Sequence, residues 1–167
     1  MKSTIGAIGL AAAMTIGVSL AMAHGGATGV VKERMELMEN IGESMKTLAD
    51  MFKGVRAYDA ETVRAAAASI RDHAGARMTD LFPEGSLKHP TEALPTVWED
   101  WAELSALAER LAAYSDALVE AAGNPRGPAA TDETDPAVLA AMPPDAAFMQ
   151  TARVCRACHG KFRAKQD

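Results

Sequence analysis

The sequence predicts an all-α fold, an antiparallel four-helix bundle, on three observations. Apolar residues recur at steps of three and four through four long stretches. No stretch alternates with period two, as a half-buried strand would. Glycine- and proline-rich breaks separate the four stretches, and connections of that kind join antiparallel neighbours. The composition agrees: 49% of residues are hydrophobic but only 5% aromatic, so alanine, methionine and aliphatic side chains must build the core. Alanine is also the strongest helix former.

Residues 1–23 stand outside that fold. Lys2 precedes an apolar run from Ile5 to Leu20, and Ala21-Met22-Ala23 puts small residues where a signal peptidase cuts. The run is shorter than the roughly 20 residues that span a bilayer. This is a secretory leader, cleaved after Ala23, that delivers a bundle domain of residues 24–167 to the periplasm; an uncleaved anchor is the alternative. No later segment is long and apolar enough to span.

The first helix is expected over about Gly29–Lys53, with a seam of Val31, Met35, Met38, Gly42, Met45, Ala49 and Phe52. Gly54 suits the position just past its end. The second is expected over about Asp59–Leu81, capped by Asp59, with Val63, Ala67, Ile70, Ala74, Met78 and Leu81 facing inward. A loop broken by Pro83, Gly85 and Pro90 leads to a third helix over about Pro95–Ala122, whose seam is Val97, Trp101, Leu104, Ala108, Leu111, Ser115 and Leu118. Asn124 to Pro144 forms a long loop with room for a helical turn at Ala137–Ala141. The last helix begins at Asp145 and runs close to the end.

The formal charge is −5, or −6 once Lys2 leaves with the leader. That argues against a nucleic-acid binder, which needs a basic face, and is compatible with a basic redox partner protein. No Ser-His-Asp pattern or phosphate-cradling glycine loop is present, and the chain is expected to be a carrier and not an enzyme. Its chemistry lies in Cys155-Arg156-Ala157-Cys158-His159, which holds both cysteines of the chain. Cys-x-x-Cys-His is the signature of covalent haem attachment. The two thiols add to the two vinyl groups of one haem, and the next residue brings an imidazole to the iron. On a helix, Cys155, Cys158, His159 and Phe162 share a face at i, i+3, i+4 and i+7, and Phe148, Thr151 and Ala152 extend it backwards. A structural zinc site would need four ligands. A redox dithiol would open a helix after a strand, and a static disulfide fits Cys-x-x-Cys poorly within a helix.

Placed near the C-terminus, the run Cys155 to Arg163 resembles the class II c-type cytochromes, the cytochrome c′ family, which carry the motif on the fourth helix of a bundle. Arg34, Met38, Gly42 and Met45 on the first helix resemble the family's pattern as well. The resemblance implies one haem c and makes the sixth iron position decisive. High-spin members cover that face with an apolar or aromatic side chain and bind nitric oxide or carbon monoxide. In the low-spin branch a methionine ligates the iron, and that position falls on Met38. A His/Met iron raises the reduction potential and suits one-electron transfer; the alternative is that Met38 is ordinary core. Met35 and Met45 share its face as core or haem wall. Gly42 would let the porphyrin lie close to the backbone, or is a helix irregularity. Arg34 resembles the family's propionate-pairing arginine, and Arg163 its basic residue beside the proximal histidine. His73 and His89 are packed or surface histidines, weak as backup ligands; Trp98 and Trp101 belong to core and rim. The loop over 124–144 is longer than the family's usual third connection. The mature protein is a monomer or a homodimer.

Overall fold

The computed structural model describes residues 26–128 and 130–165; the leader over residues 1–23 lies outside them. The described chain is helical: α1 Gly29–Phe52, α2 Ala60–His73, α3 Ala76–Thr79, α4 Thr96–Glu99, α5 Trp101–Ala121, α6 Pro136–Ala141 and α7 Pro144–Phe162. The four long helices α1, α2, α5 and α7 make the four-helix bundle. α1 packs on α2, α2 on α5 and α5 on α7, while α6 fills in against α5. No described helix is long and apolar enough to cross a membrane.

Local chemistry sets the boundaries. Gly54 follows α1 with φ of +73°, the left-handed turn a glycine supplies cheaply. Asp59 caps α2, its carboxylate accepting from the Thr62 N–H at 2.8 Å. Asp135 caps α6 by accepting from the Ala137 N–H, with Pro136 in the first turn. α7 likewise opens on a proline.

Two predicted helices are interrupted. The second breaks at Gly75, whose φ of +58° lies outside the helical region and whose N–H donates to the Ala108 carbonyl of α5 at 3.0 Å. That tertiary bond replaces a helical one and starts α3 afresh. The third breaks at Asp100, with φ −117° and ψ 44°. The break turns Trp101 out to 41% exposure, whereas Val97 and the seam from Leu104 to Leu118 stay buried. Trp98 packs on the core and its indole N–H donates to the Phe82 carbonyl.

The core face of α1 is rotated by about one residue from the predicted seam. Val31, Leu37, Ile41, Leu48 and Met51 are buried, with Arg34 among them. Met35, Met38, Met45 and Phe52 flank that face, half-buried. The helix carries two adjoining apolar stripes, and periodicity alone merges them. The core proper is closed by Val63, Ile70, Leu104, Leu118 and Leu139, each almost fully enclosed.

α1 and α7 run antiparallel and meet at one end only. Phe52, the last residue of α1, stacks on Phe148 in the first turns of α7, with ring centroids 4.3 Å apart and planes within 7°. Met38 lies about 21 Å back along α1 from that stack, at 1.5 Å per residue. There a cavity of about 680 Å³ separates the two helices.

Candidate functional site

The cavity is walled from three sides. α1 contributes Arg34, Met35, Met38 and Glu39; α7 and the residue after it contribute Cys158, His159, Phe162 and Arg163. The third wall is the strap that joins α3 to α4, with Phe82, His89, Pro90, Glu92 and Ala93. Met78, Val97 and Leu104 close the floor with apolar side chains. The volume falls within the roughly 300–1,000 Å³ of small-molecule and cofactor sites, which are mostly apolar with a few placed polar groups.

Backbone bonds tie the strap to the end of α7. The Leu94 N–H donates to the Phe162 carbonyl at 2.9 Å, the Ala164 N–H to the Glu92 carbonyl at 2.7 Å, and Ala93 pairs with Arg163 in a single antiparallel rung. Arg163 Nε donates to the Glu92 carboxylate at 2.6 Å. At the other side of the cavity, Arg34 is 4% exposed and lies 4.5 Å from the centroid of the Phe82 ring. One of its terminal nitrogens donates to the Ser86 carbonyl at 3.1 Å. The other, Nη1, is buried with no hydrogen-bond partner among the described residues. A buried guanidinium with an unused donor is costly unless something answers it, and burial already lowers its pKa.

The cysteines are free and half-buried. Burial raises the Cys155 pKa and, together with the Cys155 thiol, pushes Cys158 up to about 11. Both are thiols at neutral pH. His159 is exposed toward the cavity's edge but enclosed enough that burial lowers its pKa; the Arg163 guanidinium adds to this and Glu92 partly offsets it. A neutral imidazole is the form that ligates a metal.

Of the residues singled out from the sequence, the cavity gathers Arg34, Met35, Met38, Cys158, His159, Phe162 and Arg163. Cys155 sits one turn back on α7, packed on the core. Met45 also packs on the core, outside the wall. Gly42 is exposed, and no described residue lies within 4 Å of where a Cβ would stand. His73 is elsewhere, its Nδ1 2.6 Å from the Ser69 carbonyl. The strap residues Phe82, His89 and Glu92 belong to the site, although no helical period pointed to them.

The donor set suits haem c: two thiols for the vinyl groups, a neutral imidazole beside them, a methionine on the facing helix, and an orphaned cationic donor where a carboxylate would be bound. The family model described as "Cytochrome C'" matches residues 29–163. The chain is 35% identical to a cytochrome c-556 of Agrobacterium tumefaciens (strain II Chrys) over 143 residues, covering 83% of this chain and 99% of that one. It is 31% identical to a cytochrome c′ of Rhodopseudomonas palustris over 159 residues, covering 95% of each. The solved cytochrome c′ from Rhodopseudomonas palustris superposes with a TM-score of 0.67 at 30% identity, covering 84% of this chain and all of that one.

Proposed function

The chain belongs to the cytochrome c′ family, binding one covalently attached haem c, and we propose that it carries single electrons through a low-spin iron ligated by His159 and Met38. Haem supplies an iron that changes by one electron. Cys155 and Cys158 would anchor it through thioether links, and His159 and Met38 would ligate its iron. The observation that carries this reading is the cavity wall shared by Met38 of α1 and His159 of α7. Arg34 would hold a propionate with its unpartnered Nη1. Met35 and Phe162 exclude water from the haem faces, and Arg163, held by Glu92, keeps the imidazole's surroundings cationic. Ligation by two protein groups leaves little to rearrange when the electron arrives. The protein acts in the periplasm after loss of residues 1–23, as a monomer or homodimer, with a redox protein as partner.

A second reading has one observation in its favour. Met38 is half-buried against the core, as it would be if it only covered a five-coordinate iron that binds nitric oxide or carbon monoxide. Met38→Ala separates the two. As a ligand's loss, it converts sharp, split reduced bands to broad high-spin ones and opens the iron to carbon monoxide. An unchanged spectrum in both oxidation states would reject Met38 as ligand.

A further inference from the structure

Haem c carries two propionate carboxylates, and Arg34 offers one buried nitrogen, Nη1, with no partner among the described residues. The other basic side chains of the cavity wall are His89, His159 and Arg163. His159 belongs to the iron in the reading above, and the Nε bond of Arg163 to Glu92 holds that guanidinium beside the imidazole. That leaves His89. Its place on the strap suits the task. Ser86, three residues before it, is fastened to Arg34, and Glu92, three residues after it, is fastened to Arg163. The strap therefore crosses the cavity's edge with His89 midway between two anchored points.

His89 also stands in a second wall. With Pro90 it separates the cavity from a smaller polar hollow of about 380 Å³, lined by Thr28, Glu84, Ser86 and Lys88 among others. The buried Ser86 hydroxyl in that lining has no hydrogen-bond partner among the described residues. His89 is exposed, so water reaches it from outside the haem cavity.

We infer that His89 is a second propionate-binding residue, and that its proton is coupled to the electron on the iron. The inference rests on the haem being held as proposed above. A protonated imidazole beside the propionates adds positive charge near the iron and favours the reduced state. His89 therefore binds a proton from water more tightly when the iron carries its extra electron, and the reduction potential falls as pH rises. The window is roughly pH 5–8, where imidazoles change charge. The other charged groups facing this edge are Arg34 and Glu39 from α1, Glu84, Lys88 and Glu92 on the strap, and Arg163 with His159 from the α7 end.

Redox titration of the haem-loaded protein at several pH values tests this, with His89→Gln and His89→Lys alongside. The wild-type potential should fall across the window. His89→Gln should lose the slope and stay at the alkaline level, whereas His89→Lys should lose it and stay at the acidic level. A flat wild-type profile, a slope that persists in His89→Gln, or a shift of both variants in one direction would overturn the inference. The absorption spectrum of the same samples guards the premise: a colourless wild type would reject the haem reading itself.

Discussion

Arg126 and Arg34 stand at opposite ends of the α1–α7 pair, each over an aromatic ring, and the chain treats them differently. Arg126 lies 4.7 Å from the ring centroids of both Phe52 and Tyr58. It grips Asp145 with two parallel bonds of 2.7 Å and donates to the Phe52 carbonyl. The Gly127 N–H adds a third bond to that carboxylate, and the Tyr58 hydroxyl donates to the Ala122 carbonyl. This end is answered from within: cation, anion and rings all come from the same polypeptide. Among the described residues, Arg34 has a ring and one carbonyl but no carboxylate. In the function proposed, that desolvated guanidinium is where a carboxylate of the haem would bind. The bundle is thus finished at one end and built for a guest at the other.

The comparison breaks most completely if the guest is removed. Cys155→Ala with Cys158→Ala should abolish covalent haem, read as the loss of the haem mass and of the visible bands. Hydrogen exchange should then show the amides of Arg34 to Met38 and of Cys158 to Phe162 losing protection, while those near Phe52 and Phe148 keep theirs. Equal loss at both ends would mean that the stacked end has no independent stability.

Arg126→Gln attacks the finished end. It leaves the Asp145 carboxylate, 12% exposed, without its cation. A cost of about 2–3 kcal/mol is expected in denaturant unfolding, below the roughly 3–5 for a fully buried pair because Arg126 is partly solvated. The haem spectrum should not change. Arg34→Gln is the counterpart at the guest end and should cost about 1.5–3 kcal/mol in the haem-loaded protein, the worth of a charged hydrogen bond. It should also lower the reduction potential, which Arg126→Gln should leave alone.

The smallest effect is a pH effect at the finished end. Burial acts to raise the Asp145 pKa, but its bonds from Arg126 and Gly127 outweigh that and hold it below the ordinary value. A depressed carboxylate contributes stability above its unfolded pKa of about 3.9 and loses it as pH falls through the folded value. The stability gap between wild type and Asp145→Asn should therefore be constant near neutrality and shrink below about pH 4. A gap unchanged at pH 3 would show that the charge on Asp145 is not what matters.

The four long helices were legible because their apolar periods are long and their ends carry recognisable caps, Asp59 and Gly54 among them. The interruptions at Gly75 and Asp100 were not. Ala74, Met78 and Leu81 keep a helical step across the first break, so the pattern runs on while the backbone stops to bond Ala108. The exposure of Trp101 follows from the second in the same way. In the site, the motif on α7 and the methionines of α1 could be found from spacing and resemblance. The strap could not, since Phe82, Ser86 and Glu92 gain their roles from Arg34 and Arg163, partners 48 to 71 positions away that no local pattern reveals.

The rung between Ala93 and Arg163 falls five residues beyond the second cysteine. A chain that closes this stitch early finds its sulfurs already half-covered and protonated, with Cys158 raised to about 11, and thiols in that state are sluggish in oxidation and exchange alike. The thioether bonds are therefore expected to form most readily while the tail is still loose.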